Sequence, residues 1–390
     1  MRVLITDGNE RAALAAARSL VAARYEVFVS ARTELSLAGV SRGVKACVVP
    51  IDPLAEPQAY VAALAQLVER LVIDILLPIT DPSVEAVLEY RAVFDDRVFL
   101  PLPNLEAYRH ASDKALSLEL ARRAGLAVPE TVIVTGPDWR DAPDPEFFPA
   151  VIKPHRSVVP AGHGNGSKRK TGVRYVENVD ACRAALSTLP HGAFPVLVQQ
   201  QVHGPGEGLF VLRWNGRPVA AFAHRRLREK PPEGGVSVYR ESIAPPAALL
   251  AAGTRLLELL DWQGVAMIEC KRDLATGRYV FMEVNGRLWG SLQLAIDAGV
   301  DFPALLMACA VGATVLPTHG YRVGVRSRWF WGDVDHLYLR LRNGGGARGK
   351  LTAVREFLRI HRGRDREEIW RWRDPAPFLL ESLWRLSLKS

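Results

Sequence analysis

The chain reads as a mixed α/β protein in three parts: a doubly wound domain over residues 1–103, a domain rich in antiparallel strands over 104–315, and a mostly helical appendage over 316–390. Three observations predict this. Strand-like and helix-like segments alternate over the first hundred residues, turns rather than helices separate several later strands, and the sequence becomes arginine-rich and aromatic beyond Pro317.

Residues 3–6 (Val3-Leu4-Ile5-Thr6) form an apolar strand, 11–23 a helix, 26–30 a second strand and 46–50 a third. A helix over 58–70 leads into the apolar run 73–79, which stops at Thr80-Asp81-Pro82 before another helix. Such alternation calls for a parallel sheet. The first turn, Asp7-Gly8-Asn9, lacks the three-glycine dinucleotide fingerprint, so NAD is not expected there. Residues 101–104 close the domain, and a helix over 113–124 ends at Gly125 and Pro129. Strands follow at 150–154, 172–176, 196–200, 208–212 and 218–224.

At 390 residues, 48% apolar and 24% charged, the chain has enough material for two or three domains around a large core. No apolar run reaches the length of a membrane span, and the start, Met1-Arg2-Val3-Leu4, enters a strand directly, without the pattern of a signal peptide. A soluble cytoplasmic protein is the expectation. Cys47, Cys182, Cys270 and Cys309 stand singly, which argues against zinc and disulfides and for buried reduced thiols. The net charge of +8 comes without any nucleic-acid recognition motif, so no nucleic-acid partner is expected. Arginines outnumber lysines 41 to 9, and four of those lysines, Lys114, Lys153, Lys168 and Lys170, fall close together, as phosphate binding would require.

The densest chemistry lies in two strand-like runs, Gly264 through Cys270 and Tyr279 through Arg287, joined by the turn residues 273–277. A hairpin sets Glu269 beside Glu283, and the two-residue period puts Glu283 and Asn285 on one face. Carboxylate and amide oxygens suit Mg²⁺, which fills its remaining positions with water and phosphate oxygens. Upstream, Lys153 ends an apolar strand and is followed by Gly162, Gly164, Gly166, Ser167 and Lys168. Backbone N–H groups in such a loop can close over phosphates, although taken alone it would sooner suit an exposed linker. The run Gln199-Gln200-Gln201-Val202 leads through a proline-glycine turn to Glu207, where main-chain groups and an amide could hold a purine and Glu207 its ribose.

In this order, Lys114, Lys153, the glycine-rich loop, Gln199 to Glu207, Glu269 and Glu283-Val284-Asn285-Gly286-Arg287 resemble the ATP-grasp ligases. The similarity is to the branch of the carbamoyl phosphate synthetase large chain, biotin carboxylase and D-alanine-D-alanine ligase, over roughly residues 1 to 315. The resemblance implies an α+β ATP-grasp fold with a preATP-grasp domain first and a lid subdomain over about 115–198. It implies ATP phosphates on Lys114 and Lys153 and within the loop of Gly164, Gly166, Ser167 and Lys168. Adenine would lie against Gln199, Gln200 and Val202, and ribose on Glu207. Glu269, Glu283 and Asn285 would hold one or two Mg²⁺ ions, with Lys153 and Arg287 stabilising the transferred phosphoryl group or acyl phosphate. Glutamines stand where many relatives carry an acid at the adenine. The implied activity is ligation of a carboxylate to an amine, both small molecules, through an acyl phosphate. A non-amine acceptor and a non-catalytic ATP-binding protein are the alternatives, and a homodimer stays open.

On the substrate side, the basic run from Phe222 to Ser237 is expected as a loop. Arg225, Arg226, Arg228 and Ser237 are its candidate ligands for the acceptor or its carboxylate, with Arg240 and Glu241 continuing the wall. As a surface charge run it would equally be solvated. Trp289 and Ser291 should face the site. The terminal segment around Trp384-Arg385-Leu386 is expected as a docked helix with its arginines outward.

Overall fold

A computed structural model describes residues 1–94, 97–137, 143–156, 158–160, 168–170, 172–232, 234–315, 320–343, 346–359 and 364–387. The loop residues Gly164, Gly166 and Ser167 lie outside these.

The chain opens with β1 (Arg2–Ile5), α1 (Arg11–Ala22), β2 (Glu26–Ala31), β3 (Val44–Val48), α2 (Pro57–Leu71), β4 (Ile75–Leu77) and α3 (Asp81–Glu89). Its four strands form one parallel sheet in the order β3-β2-β1-β4. Because β2 and β4 flank β1 on opposite sides, the connections leaving β1 and β4 diverge at their carboxyl ends, where open α/β sheets form a crevice. Asp7, at φ 58°, holds that crevice together. Its carboxylate accepts from the Ile79 and Thr80 amides at 3.2 and 3.1 Å and from the Ser83 hydroxyl at 2.8 Å.

Next come α4 (Leu105–Ser112), α5 (Lys114–Arg123), β5 (Thr131–Val134), β6 (Ala150–Pro154), β7 (Val158–Pro160), β8 (Lys168–Lys170), β9 (Arg174–Val176), α6 (Val179–Ser187) and β10 (Val196–Gln200). An antiparallel sheet of order β5-β10-β6-β9 packs on α6 through a small core of Val134, Phe147, Ile152, Cys182, Leu186 and Val198. The short β7 and β8 pair separately.

The rest of the chain supplies β11 (Gly206–Trp214), β12 (Arg217–Lys230), β13 (Val236–Ile243), α7 (Ala247–Leu259), β14 (Gly264–Arg272), β15 (Tyr279–Asn285), α8 (Leu292–Ala298), α9 (Phe302–Ala310), β16 (Arg326–Arg328), α10 (Phe330–Asn343), α11 (Gly346–Leu358), β17 (Asp365–Glu367) and α12 (Ala376–Ser387). A seven-stranded sheet of order β15-β14-β11-β12-β13-β16-β17 is the centre of the molecule. Alternation along β11 sends Leu209 and Val211 into one core with α4, α5 and α7, and Phe210 and Leu212 into the other with α1, α8 and α9. The C-terminal part is mostly helical, as expected, and it also adds β16 and β17 to the edge of this sheet.

Two expectations are corrected here. The basic run 222–230 is not a loop: β12 continues to Lys230, with bulges between Arg226 and Arg228 and between Arg228 and Glu229. On α12 it is Leu379, Leu383 and Leu386 that face outward, while Arg385 pairs with Asp335 at 2.9 Å.

Among the described residues no single helix is long and apolar enough to cross a membrane. Only α8 and α9 together, bent by 90°, pass by length and composition.

Candidate active site

The β14–β15 hairpin pairs Glu269 directly with Glu283, and Asn285 lies two residues further along the same face. Glu283 Oε1 accepts from the Asn285 amide at 3.1 Å, and Asn285 Oδ1 accepts from Arg287 at 3.1 Å. Arg287 also reaches Asp81, at the start of α3, at 3.1 Å, which anchors the hairpin to the crevice of the first sheet. Burial works against the Arg287 charge, but Asp81, with Tyr108 and Glu283, outweighs it and holds the guanidinium above its ordinary pKa.

Glu269 takes a second partner from β12. Arg226 approaches it at 2.5 Å and is itself also paired with Glu229, at 3.4 Å. Burial pushes the Glu269 carboxyl up, Arg226 opposes that, and neighbouring Glu283 adds to it. Lys153, at the end of β6, also faces the carboxylates; burial lowers its pKa and Glu283 partly offsets this. Lys114, capped into α5 by Asp113, adds like charge beside Lys153.

Two cavities meet at these groups. One, of about 190 Å³, is lined by Lys114, Lys153, Gln199, Gln200 and Val202 among others. The other, of about 390 Å³, is lined by Arg11, Asp81, His224, Ser237, Arg287 and Trp289 among others. Both are walled by Arg226, Gly235, Glu269 and Glu283. Among the described residues no cluster of three or more His, Cys, Asp or Glu side chains could enclose a metal. Two carboxylates and an amide therefore fit only an ion that takes its other ligands from water or substrate, which is the habit of Mg²⁺.

The residues expected from sequence divide accordingly. Lys114, Lys153, Gln199, Gln200, Val202, Glu269, Glu283, Asn285, Arg287, Arg226 and Ser237 line the joined cavities, as do Trp289 and Ser291. The Gln199 amide donates to Thr131 at 3.1 Å and leaves its buried oxygen without a partner, whereas Gln200 donates to the Glu146 carbonyl at 3.3 Å. The Val202 carbonyl accepts from Lys271 at 3.0 Å.

Four positions are not brought in. Glu207 pairs in register with Cys270, so strand alternation turns it to the opposite face from Glu269. Burial raises its pKa there, beside the Tyr279 hydroxyl. Lys168 bridges Glu85 and Glu89 on α3 at 3.0 and 2.8 Å, away from both cavities. Arg225 pairs with Glu241 at 2.6 Å. Arg228 makes a two-pronged contact with fully buried Asp333 at 2.6 and 2.7 Å and lies over the Tyr239 ring. Arg240 and Glu241 do not continue the wall either, since Arg240 is fully buried against Glu368.

Sequence reasoning missed Arg11 and His224. Arg11, at the start of α1, lines the larger cavity while Glu368 holds it at 2.6 Å from 357 residues away. His224 is buried with neither ring nitrogen partnered, and burial, with Arg226 and Arg240, pushes its pKa well below the usual value. It lies across β11 from the carboxylates, and Gly208, opposite both His224 and Glu269, places no side chain between them. A Cβ there would come within 2.8 Å of the Phe210 ring and 3.1 Å of His224 Nε2. The alternation along β12 was the available signal for His224, since it shares a parity with Arg226.

No protein-family model matches the chain, and no curated protein matches it in sequence. Solved structures do. An L-amino acid ligase from Bacillus licheniformis is 17% identical with a TM-score of 0.61, over 80% of this chain and 74% of that one. A biotin carboxylase from Campylobacter jejuni is 16% identical with a TM-score of 0.63, over 83% and 74%. An N5-carboxyaminoimidazole ribonucleotide synthetase from Thermus thermophilus is 17% identical with a TM-score of 0.60, over 84% and 81%. The chain has the fold of these ligases, the ATP-grasp fold.

Proposed function

We propose that the protein is an ATP- and Mg²⁺-dependent ligase that activates a substrate carboxylate as an acyl phosphate and passes it to an amine. The observation that carries this reading is the shared wall. A nucleotide in the smaller cavity directs its terminal phosphate toward Glu269 and Glu283, where the larger cavity opens with room for a second substrate. The similar structures, an L-amino acid ligase, a biotin carboxylase and an N5-carboxyaminoimidazole ribonucleotide synthetase, are in keeping with ATP-driven carboxylate chemistry.

In this mechanism Lys114 and Lys153 neutralise phosphate charge, and Gln199, Gln200 and Val202 offer the adenine its hydrogen-bonding partners. Glu269, Glu283 and Asn285 would hold Mg²⁺, which supplies charge neutralisation across the transferring phosphoryl group. Arg226, paired with Glu269 at 2.5 Å and lining both cavities, would be free to meet phosphate oxygens if Glu269 took a Mg²⁺ ion instead. Arg287, fixed by Asp81, stabilises the charge that develops on the phosphoryl group and then on the acyl phosphate. Neutral His224, the Ser237 hydroxyl and the Trp289 N–H line the larger cavity without protein partners and are available to orient the carboxylate substrate.

The test is ADP and phosphate release from Mg²⁺-ATP against pools of carboxylic acids, with and without amines. Release that needs both an acid and an amine supports the ligase. Release with acid alone, unchanged by any amine, would replace the amine with another acceptor.

A further inference from the structure

Residues 316–390 hold sixteen Lys and Arg against eight Asp and Glu, an excess equal to the +8 of the whole chain. The active site does not use this charge. Nor is it neutralised locally, because among the described residues from 320 onward Glu356 is the one exposed acid, while Arg342, Arg348, Lys350, Arg355, Arg359 and Arg373 are all exposed.

Apolar side chains are exposed alongside. On α12 Glu381 is buried and accepts from the Trp329 indole at 2.8 Å, whereas Leu379, Leu383 and Leu386 are 53%, 65% and 62% exposed. Their spacing of four and then three residues places them in one stripe along the helix. Trp372, just before the helix, is 87% exposed. On α11, Leu351 and Leu358 are exposed on the face that also carries Arg348, Arg355 and Arg359. Phe357 of α11 and Phe378 of α12 both meet the Phe330 ring, at 6.4 and 5.9 Å between centroids, so the two helices flank one point of the fold.

We infer that α11, Trp372 and α12 form a peripheral docking surface for an anionic lipid bilayer. Leucines and a tryptophan flanked by arginines are the residues that seat a helix at the boundary between headgroups and acyl chains. The cations account for selectivity, since each basic group near an anionic surface adds attraction. A second copy of the chain fits less well, because self-pairing would bring two surfaces of the same positive charge together. A nucleic acid would use the arginines but give the leucine stripe nothing to bury against.

Sedimentation with phosphatidylcholine vesicles, with and without about one-third phosphatidylglycerol, tests this on the full chain. Partitioning should be at least about tenfold stronger onto the anionic vesicles and fall with salt. Replacing Leu379, Leu383 and Leu386 together by Ser should weaken it by about tenfold or more. Changing Arg348, Arg355 and Arg359 to Gln gives an independent variant with no apolar residue altered, and should also weaken it. Equal partitioning onto both vesicles, or none, overturns the proposal. So does concentration-dependent dimerisation that the leucine variant abolishes without vesicle binding, or capture by an acidic protein or DNA that the leucine variant retains.

Discussion

The β14–β15 hairpin and the cationic end of β12 lie in the same sheet, yet they relate to their sequences in opposite ways. On the hairpin, three polar positions in an apolar frame all reach one site. On β12, three arginines within four residues meet three different fates: Arg225 on Glu241, Arg226 on Glu269, and Arg228 on Asp333. A regular strand would turn Arg226 and Arg228 to one face, but the bulge between them redirects Arg228 toward α10. Strand period assigns a face only where the pairing is unbroken, and a run of charge says nothing of where its partners lie.

The largest effect should come from the hairpin. Glu283→Ala is expected to lower ATP turnover by at least about a hundredfold, with an unchanged melting temperature. A drop in melting temperature matching the activity loss would make Glu283 structural. Next, Arg226→Ala should raise the KM for both ATP and the carboxylate and cut kcat by about tenfold or more, because Arg226 walls both cavities. Arg225→Ala should leave turnover within about twofold, since Arg225 is half exposed, lines neither cavity, and leaves Glu241 paired with Arg326. Steady-state kinetics that found both variants alike would mean that Arg226 has no role at the site beyond that of its neighbour.

Arg228→Met is expected to act on stability alone. It removes one of two arginines from buried Asp333 and should cost about 1–3 kcal/mol in chemical denaturation while kcat stays near wild type. The smallest effect belongs to Glu381. Burial pushes its pKa up to about 7, so the folded state holds a proton that the unfolded chain releases. Stability from this group is therefore full below the ordinary carboxyl pKa, declines as pH rises, and is lost once pH has passed through about 7. Glu381→Gln keeps an acceptor for Trp329 and should raise the melting temperature at pH 8 by about 1–3 °C, with little change at pH 4.

What was legible in the sequence was what local periodicity controls. The parallel first sheet, the hairpin and the same-face relation of Glu283 and Asn285 follow from apolar spacing. Glu207 escaped because its motif gives a position near a strand's start but not the register with Cys270 that turns it away. Arg11 escaped because its partner Glu368 is brought to it only by the packing of β17 beside β16. The outward leucines of α12 escaped for a similar reason. Amphipathic spacing shows that a helix has two faces, and here the inward one carries Phe378, packed on Phe330, and Glu381, the acceptor for Trp329.

In the proposed mechanism one pair of carboxylates, Glu269 and Glu283, serves both cavities. Trapping with hydroxylamine tests it most directly: the protein, Mg²⁺-ATP and a pool of carboxylic acids are incubated with hydroxylamine, and hydroxamate and ADP are measured together. Hydroxamate formed in step with ADP, and lost in Glu283→Ala, is the predicted result. ADP release that proceeds without any acid and survives Glu283→Ala would contradict it.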